Sequence, residues 1–441
     1  MDRLKLADIF CDGMVLQRGK KICIFGEGTG AGTAELNGKV TEFTADGAFR
    51  VYLPEEEAGG PYTLTVSCGG ETVTLKDVLI GDVFLAGGQS NMEFPLLSTY
   101  EYRNELLDVP EIRYFQEPHQ IDAERNTAYR NHGWMPFTHK YEAAFSAIAY
   151  FFALKYHRDT NVPVGIVSCN KGASRVDAWT APEIVSEPAY QEMMRDHHED
   201  MEIYKFNQGQ WLYTNKLLPV VPYTLKGVLW YQGESNRRYE EARYYDRMFR
   251  IMAGHWRSLW EDELPFYTVQ IMPFDEPAEK ADWAEIRAAQ MRAARDIPGV
   301  RLVTLFDTGE EKEIHPTKKK GVGEALAGAV FCDCGKPEEY SGPVNPVCTF
   351  EDDHISVRFD HADGLVLHGD VLTDTFLTVR AADGGTAVKP AVGEIIGNTL
   401  KLYTEEKEYP IEVRMGYQNV PRHNLYNTAG FLASPFREAR A

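Results

Sequence analysis

Five short apolar runs, at 83–87, 164–169, 226–231, 265–271 and 301–306, alternate with stretches of helical periodicity at 142–157, 239–260 and 283–295. In the first stretch Ala144, Ile148, Phe151, Phe152 and Lys155 follow the spacing of an amphipathic helix. Strands that alternate with helices wind into a parallel sheet covered by those helices. The pattern predicts an α/β domain over residues 81–335. Residues 1–80 have a different rhythm, with short β-forming runs at 21–25, 33–36, 49–53 and 62–66 separated by Asn37-Gly38, Asp46-Gly47 and Gly59-Gly60-Pro61. That spacing predicts a β-sandwich-like region. After 336 the β pattern returns, as in 354–359 and 399–403, with turn signals at Asp363-Gly364, Asp383-Gly384 and Gly397-Asn398. The expected organisation is therefore 1–80, 81–335 and 336–441, with the two terminal β regions packed together around an inserted domain.

Charge narrows the partners. Across 441 residues, 66 acidic side chains oppose 46 basic ones, a formal net charge of −20. Nucleic acid and anionic membranes demand the opposite balance, because lysine and arginine must neutralise phosphate. Neither is an expected partner. No apolar run reaches the ~20 residues of a membrane-spanning helix, and residues 1–8 lack the apolar stretch of a secretory signal. The expected location is cytoplasmic, or secreted if a leader has been trimmed away. Seven scattered cysteines, an odd number, suit reduced thiols. Cys332-Asp333-Cys334 has no second ligand pair, so no metal is expected there and two small buried residues are.

Chemistry concentrates where strands end. After Asp82-Val83-Phe84-Leu85-Ala86, the glycines of Gly87-Gly88-Gln89-Ser90-Asn91-Met92-Glu93 permit a sharp turn that delivers Ser90 past a strand end. Ligands of open α/β sheets bind at those ends. Ser90 reads either as an exposed nucleophile or as a helix cap. Among twelve histidines, His315 is the candidate base, because Ile314-His315-Pro316 follows a strand and a polar loop late in the chain. Two more strand-end turns supply donors for an oxyanion: the Gly172 N–H after 164–169, and the Gln232 side chain after 226–231. Gln89, Asn91, Glu234 and Asn236 are candidates for substrate contact. Lys171 and Arg175 either attract an anionic substrate or are solvated loop charges. Aromatics at 97–140, among them Tyr100, Tyr102 and Trp134 beside His132, either face a sugar or pack in the core.

Together, Gly88-Gln89-Ser90-Asn91-Met92, Trp230-Tyr231-Gln232-Gly233-Glu234-Ser235-Asn236 and Ile314-His315-Pro316 with Lys318 resemble the sialate O-acetylesterases, within the SGNH-hydrolase class. Met14-Val15-Leu16-Gln17-Arg18, Asn424-Leu425-Tyr426-Asn427 and Pro435-Phe436-Arg437 extend the resemblance over nearly the whole chain. The resemblance implies a flavodoxin-like catalytic domain that removes acetyl groups from sugar hydroxyls without metal or organic cofactor. Its partner would be a small-molecule or oligosaccharide substrate. It also implies Ser90 as nucleophile and His315 as base, with the Ser90 and Gly172 amides and the Gln232 side chain as oxyanion hole. The acid usual three residues before the histidine is replaced by Lys312. Glu313, two residues before, is the candidate third member, the alternative being a main-chain carbonyl and a Ser–His dyad. O-acetylated sialic acid is the expected substrate. Acetylated plant polysaccharide such as xylan, and a binding protein with a decayed site, are the other readings.

Overall fold

A computed structural model describes residues 3–101, 108–116, 133–194, 205–380, 384–406 and 408–440. They divide into two compact units, one drawn from Met1–Tyr190, His198–Gln232 and Ile251–Phe266, the other from Gln191–His197, Gly233–Arg250 and Tyr267–Ala441.

The first unit opens with β1 (Lys5–Leu6) and β2 (Val15–Gln17), then four long strands, β3 (Ile22–Leu36), β4 (Lys39–Leu53), β5 (Gly59–Cys68) and β6 (Glu71–Gly88). Asn37 and Gly38, both at positive φ (53° and 76°), close the β3–β4 hairpin. The four strands pair antiparallel in the order β4-β3-β5-β6. In place of the expected N-terminal sandwich, these four strands form one antiparallel sheet, to which β2 adds by pairing parallel with β6. The cause lies in β6, which does not turn back at residue 80 but runs on for eight more residues. Burial records the change: residues 71–77 are mostly outside the core, whereas 78–88 are buried without a break. An antiparallel sheet can leave one face to water, while a parallel strand flanked on both sides is covered on both faces.

In that second half β6 lies between β9 (Val164–Asn170) and β10 (Gly227–Tyr231), parallel to both. Beyond β9 come β7 (Val109–Gln116), also parallel, and β8 (Trp134–Phe137), antiparallel at the edge. The central sheet is therefore mixed. The helix Ala147–Thr160 starts later than its periodicity predicts, at Ser146, whose hydroxyl accepts the Ala149 N–H at 3.2 Å. It ends at left-handed Asn161 and lays Phe152 and Tyr156 against Phe84 of β6.

A buried charge sets where the parallel half of β6 begins. Asp82, fully buried, accepts hydrogen bonds from Gln17 (3.0 Å), Arg18 (2.8 and 3.1 Å) and Tyr156 (2.9 Å), with Lys226 at 3.4 Å. Burial alone would push its carboxyl up; Arg18, Lys226 and Gln17 outweigh that and hold it below the ordinary carboxylate value.

The second unit contains β11 (Phe266–Val269) from Tyr267 onward, and β12 (Val300–Val303), joined by the helix Trp283–Asp296, whose start Asp282 caps at Glu285 N–H. The helix Lys320–Asp333 follows. The chain then forms β13 (Val344–Phe350), β14 (Ile355–Asp360), β15 (Val366–Leu367), β16 (Thr375–Arg380), β17 (Thr386–Pro390), β18 (Val392–Ile396), β19 (Thr399–Tyr403), β20 (Pro410–Met415), β21 (Leu425–Tyr426) and β22 (Phe436–Ala439). Two four-stranded sheets result, β13-β14-β19-β18 and β17-β16-β20-β22, beside a small β15–β21 pair. Val357 and Leu400 from one sheet share a core with Leu377, Val413 and Phe436 from the other. Met291 and Leu302 extend that core into the adjacent helix and β12.

All seven cysteines are free thiols, but Cys334 is exposed and Cys332 half-buried, not buried as expected.

Candidate active site

Strand register builds the site in the first unit. Gly88 stands opposite Asn170 of β9 and Tyr231 of β10, so the three strands end side by side and their turns leave from one edge. Gly88 has φ +126°, and a Cβ there would lie 2.1 Å from the Tyr231 carbonyl oxygen, so only glycine fits. The Gln89 N–H donates to that carbonyl at 2.9 Å, and the chain turns into a one-turn helix, Ser90–Glu93. The cap position belongs to Gln89, whose side chain makes no capping bond. Ser90 is thus not the helix cap. It is half-buried between buried Gln89 and Asn91.

The turn after β9 is sewn to the same strand end. The Lys171 N–H and the Ser174 hydroxyl both donate to the Gly88 carbonyl, at 3.0 and 3.1 Å. A methyl placed on Gly172 would meet Ser90 Cβ at 3.5 Å and Glu93 Oε2 at 3.0 Å. Ser90, Gly172 and Glu93 therefore converge. The Gly172 N–H donates to the Glu93 carboxylate. Gln232, fully buried, donates through Nε2 to Gln89 Oε1 at 3.1 Å and to the Ser174 carbonyl at 3.2 Å. Both expected side donors lie at the Ser90 turn, and both are engaged within the protein.

Positive charge surrounds the turns. Lys171 Nζ lies 4.0 Å from Glu93 Oε1 and over the Phe206 ring. Lys216, buried, donates to the Asn170 carbonyl at 2.6 Å. Arg175 is neither a solvated loop charge nor open to substrate: it is buried and paired with buried Asp177 at 3.2 Å. Trp134 is a core residue whose indole donates to the Ile9 carbonyl, Tyr100 is exposed, and Tyr102 and His132 lie outside the described residues.

The second unit holds the remaining candidates. His315 follows β12 on a loop whose turn pairs Glu310 with Glu313. Glu310 Oε1 accepts from the Thr317 N–H and hydroxyl at 2.9 and 2.8 Å, fixing the segment on the far side of the histidine. Glu313 Oε1 accepts the His315 backbone N–H at 3.0 Å, while the ring Nδ1 is 3.8 Å away, beyond hydrogen-bond reach. Burial and the neighbouring Lys319 ammonium hold the His315 pKa below the ordinary 6.5, against the opposing pull of Glu313. Lys312 is exposed. Glu234 and Asn236 are buried, like Gln89 and Asn91; Asn236 donates to Glu241, and the Glu234 carbonyl accepts from Arg237 at 2.9 Å. Among the described residues, no three His, Cys, Asp or Glu side chains converge as a metal-ligand set.

Residues 80–332 match the family model for carbohydrate esterases described as sialic acid-specific acetylesterase. The chain belongs to this family of acetylesterases. A carbohydrate acetylesterase from Xanthomonas citri is 30% identical, with a TM-score of 0.84 and each chain covered completely. The sialate O-acetylesterases of Homo sapiens and Mus musculus are each 25% identical, over 259 and 262 residues. Those alignments cover 54% and 51% of this chain and 47% and 48% of the relatives, so the chain spans about half the length of the curated relatives it matches.

The terminal blocks of the chain have structural work. Gln17 and Arg18 hold Asp82 at the foot of the strand that carries Ser90, and Gln17 Oε1 also accepts the Val83 N–H at 2.8 Å. Asn427 ties the Ser341 and His361 carbonyls together at 3.0 and 3.1 Å, and Phe436 fills the sandwich core. One site residue escaped sequence reasoning. Glu93 lies inside the Ser90 motif, but its partner Gly172 is 79 positions later, and only the paired strand ends bring them together.

Proposed function

We propose that this chain is a serine-dependent O-acetylesterase of carbohydrates, with a flavodoxin-like SGNH-type catalytic fold and O-acetylated sialic acid as its substrate. The observation that carries the reading is the junction of the β6, β9 and β10 ends, where Ser90 stands past the cap position beside the Gly172 backbone. Family membership supports it. In the proposed reaction His315 takes the Ser90 proton as the hydroxyl oxygen attacks the acetyl carbonyl. The tetrahedral oxyanion draws the Ser90 and Gly172 N–H groups, and the Gln232 amide when it turns from its present acceptors. The C–O bond to the sugar breaks, His315 returns the proton to the leaving alcohol, and water repeats the sequence on the acetyl-serine. A depressed His315 pKa suits a base, since the imidazole stays neutral at mildly acid pH. Glu313 orients the ring if its carboxylate turns from the backbone to Nδ1; otherwise a carbonyl does so and a dyad operates.

A second substrate reading shares the same site. The relative that matches over the full chain is described as a carbohydrate acetylesterase with no sugar specified, so acetylated polysaccharide such as xylan stands beside sialic acid. Acetate release from O-acetylated sialic acid and from acetylated xylooligosaccharide, measured side by side, separates the two. On the better substrate Ser90→Ala is expected to lower the rate by on the order of 10³-fold or more. Equal rates for wild type and Ser90→Ala would overturn the serine assignment, and no acetate from either substrate would overturn the esterase reading.

A further inference from the structure

Glu93 holds an unusual place for a carboxylate. Its Oε2 accepts the Gly172 N–H, the donor that an acetyl carbonyl would need, and both it and Ser90 Cβ lie within 4 Å of where a Gly172 Cβ would stand. Its Oε1 faces Lys171 Nζ at 4.0 Å, and about a third of the side chain is open to solvent. A carboxylate oxygen on a backbone N–H mimics the charge and position of an oxyanion. While it stays there, the carbonyl of a bound ester and Glu93 compete for one hydrogen. Two negative oxygens cannot share that donor without repulsion. Reaction therefore requires the carboxylate to move.

Displacing it leaves an ionised acceptor beside the ester, and what the substrate offers that acceptor decides the cost. A sugar ester brings a hydroxyl on the neighbouring carbon, which can donate to the released carboxylate in a charge-assisted bond. A simple aryl acetate brings none. A site with a charged acceptor left unmatched rejects the analogue that lacks the donor.

We propose that Glu93 is a specificity-determining residue: it occupies the Gly172 oxyanion donor and yields it to acetyl esters flanked by a free hydroxyl, which donates a hydrogen bond to the displaced carboxylate. The proposal rests on the reading of Ser90 and Gly172 as nucleophile and oxyanion donor. Lys171 assists by receiving the other carboxylate oxygen during the exchange.

Two measurements test it, one without catalysis. With ¹⁵N-glycine labelling, the Gly172 amide proton should resonate downfield in the wild-type protein and move upfield in Glu93→Ala, where it loses its charged acceptor. A Gly172 resonance indifferent to the substitution overturns the occupancy. In kinetics, Glu93→Gln and Glu93→Ala should raise kcat/KM for an aryl acetate several-fold and lower kcat/KM for an O-acetylated sugar bearing an adjacent hydroxyl roughly tenfold or more. Parallel losses on both esters, with Glu93→Gln no better than Glu93→Ala, would make Glu93 a structural brace and overturn the proposal. Unchanged ratios overturn it as well. If Ser90→Ala retains full activity while the Gly172 resonance still follows Glu93, the serine reading fails and the occupancy stands.

Discussion

Ser90 owes its position to its two glycine predecessors more than to its own chemistry. A Cβ on Gly88 would strike the Tyr231 carbonyl, and one on Gly87 would lie 2.9 Å from the Trp230 ring, so the turn demands both glycines. This much was legible from sequence, because glycines at the end of an apolar run announce a tight turn. The strand-end turns that carry Gly172 and Gln232 were legible for the same reason. Whether their donors stand open was not, since the partners Glu93, Gln89 and Ser174 depend on the pairing of distant strands. The His315 environment makes a prediction at this scale. Burial and Lys319 disfavour the imidazolium, so the neutral base persists below the ordinary histidine value of 6.5. The acid limb of kcat/KM should therefore have its midpoint below 6.5, and Lys319→Met should move it upward by removing a repelling cation. A midpoint above 6.5 in the wild type, or a downward movement in the variant, would contradict this account of the base.

Strand β6 joins two kinds of sheet, and the sequence marks the passage only faintly. Alternation gives way near Val78 to unbroken apolar residues, a change that reads equally well as a domain boundary, so the expected division at 80 falls inside a continuous strand. β7 and β8 carried too little periodicity to be recognised; Pro110 and Arg113 interrupt the first, and the second is four residues long. Arg113 is buried because it donates to the Gly13 and Asp77 carbonyls at 2.8 Å each, a tertiary reason that no local pattern displays. The element-scale prediction concerns Asp82. Asp82→Asn removes the one buried anion that Arg18 and Lys226 face on this strand, and should cost about 3 kcal/mol of stability, read from urea midpoints near neutral pH. Because the Asp82 pKa is depressed on folding, its contribution is present above the ordinary carboxylate range and fades as pH falls through the lowered value. The difference between wild type and Asp82→Asn should therefore shrink in strong acid. A difference that grows there would contradict the assignment.

For the whole molecule, the sequence disclosed the β–α/β–β rhythm, but not the division into two units, whose boundaries leave and re-enter the chain several times. Acid tolerance is a property at this scale. His423 is buried against Gly416, its Nε2–H donates to the Ala433 carbonyl at 2.8 Å, and burial pushes its pKa down to about 4. The folded state keeps this ring neutral while the unfolded chain takes up a proton below about 6.5, so stability should fall between pH 6.5 and 4 by on the order of 3 kcal/mol. Denaturant midpoints across that window should drop in the wild type and flatten in His423→Gln; equal slopes would contradict the role. The central claim, that acetyl esters are cleaved through Ser90, is tested most directly by covalent capture. A fluorophosphonate should remove esterase activity in proportion to one adduct per chain, and peptide mass spectrometry should locate that adduct on Ser90. Activity that survives complete modification of Ser90, or activity lost with the adduct on another residue, would contradict it.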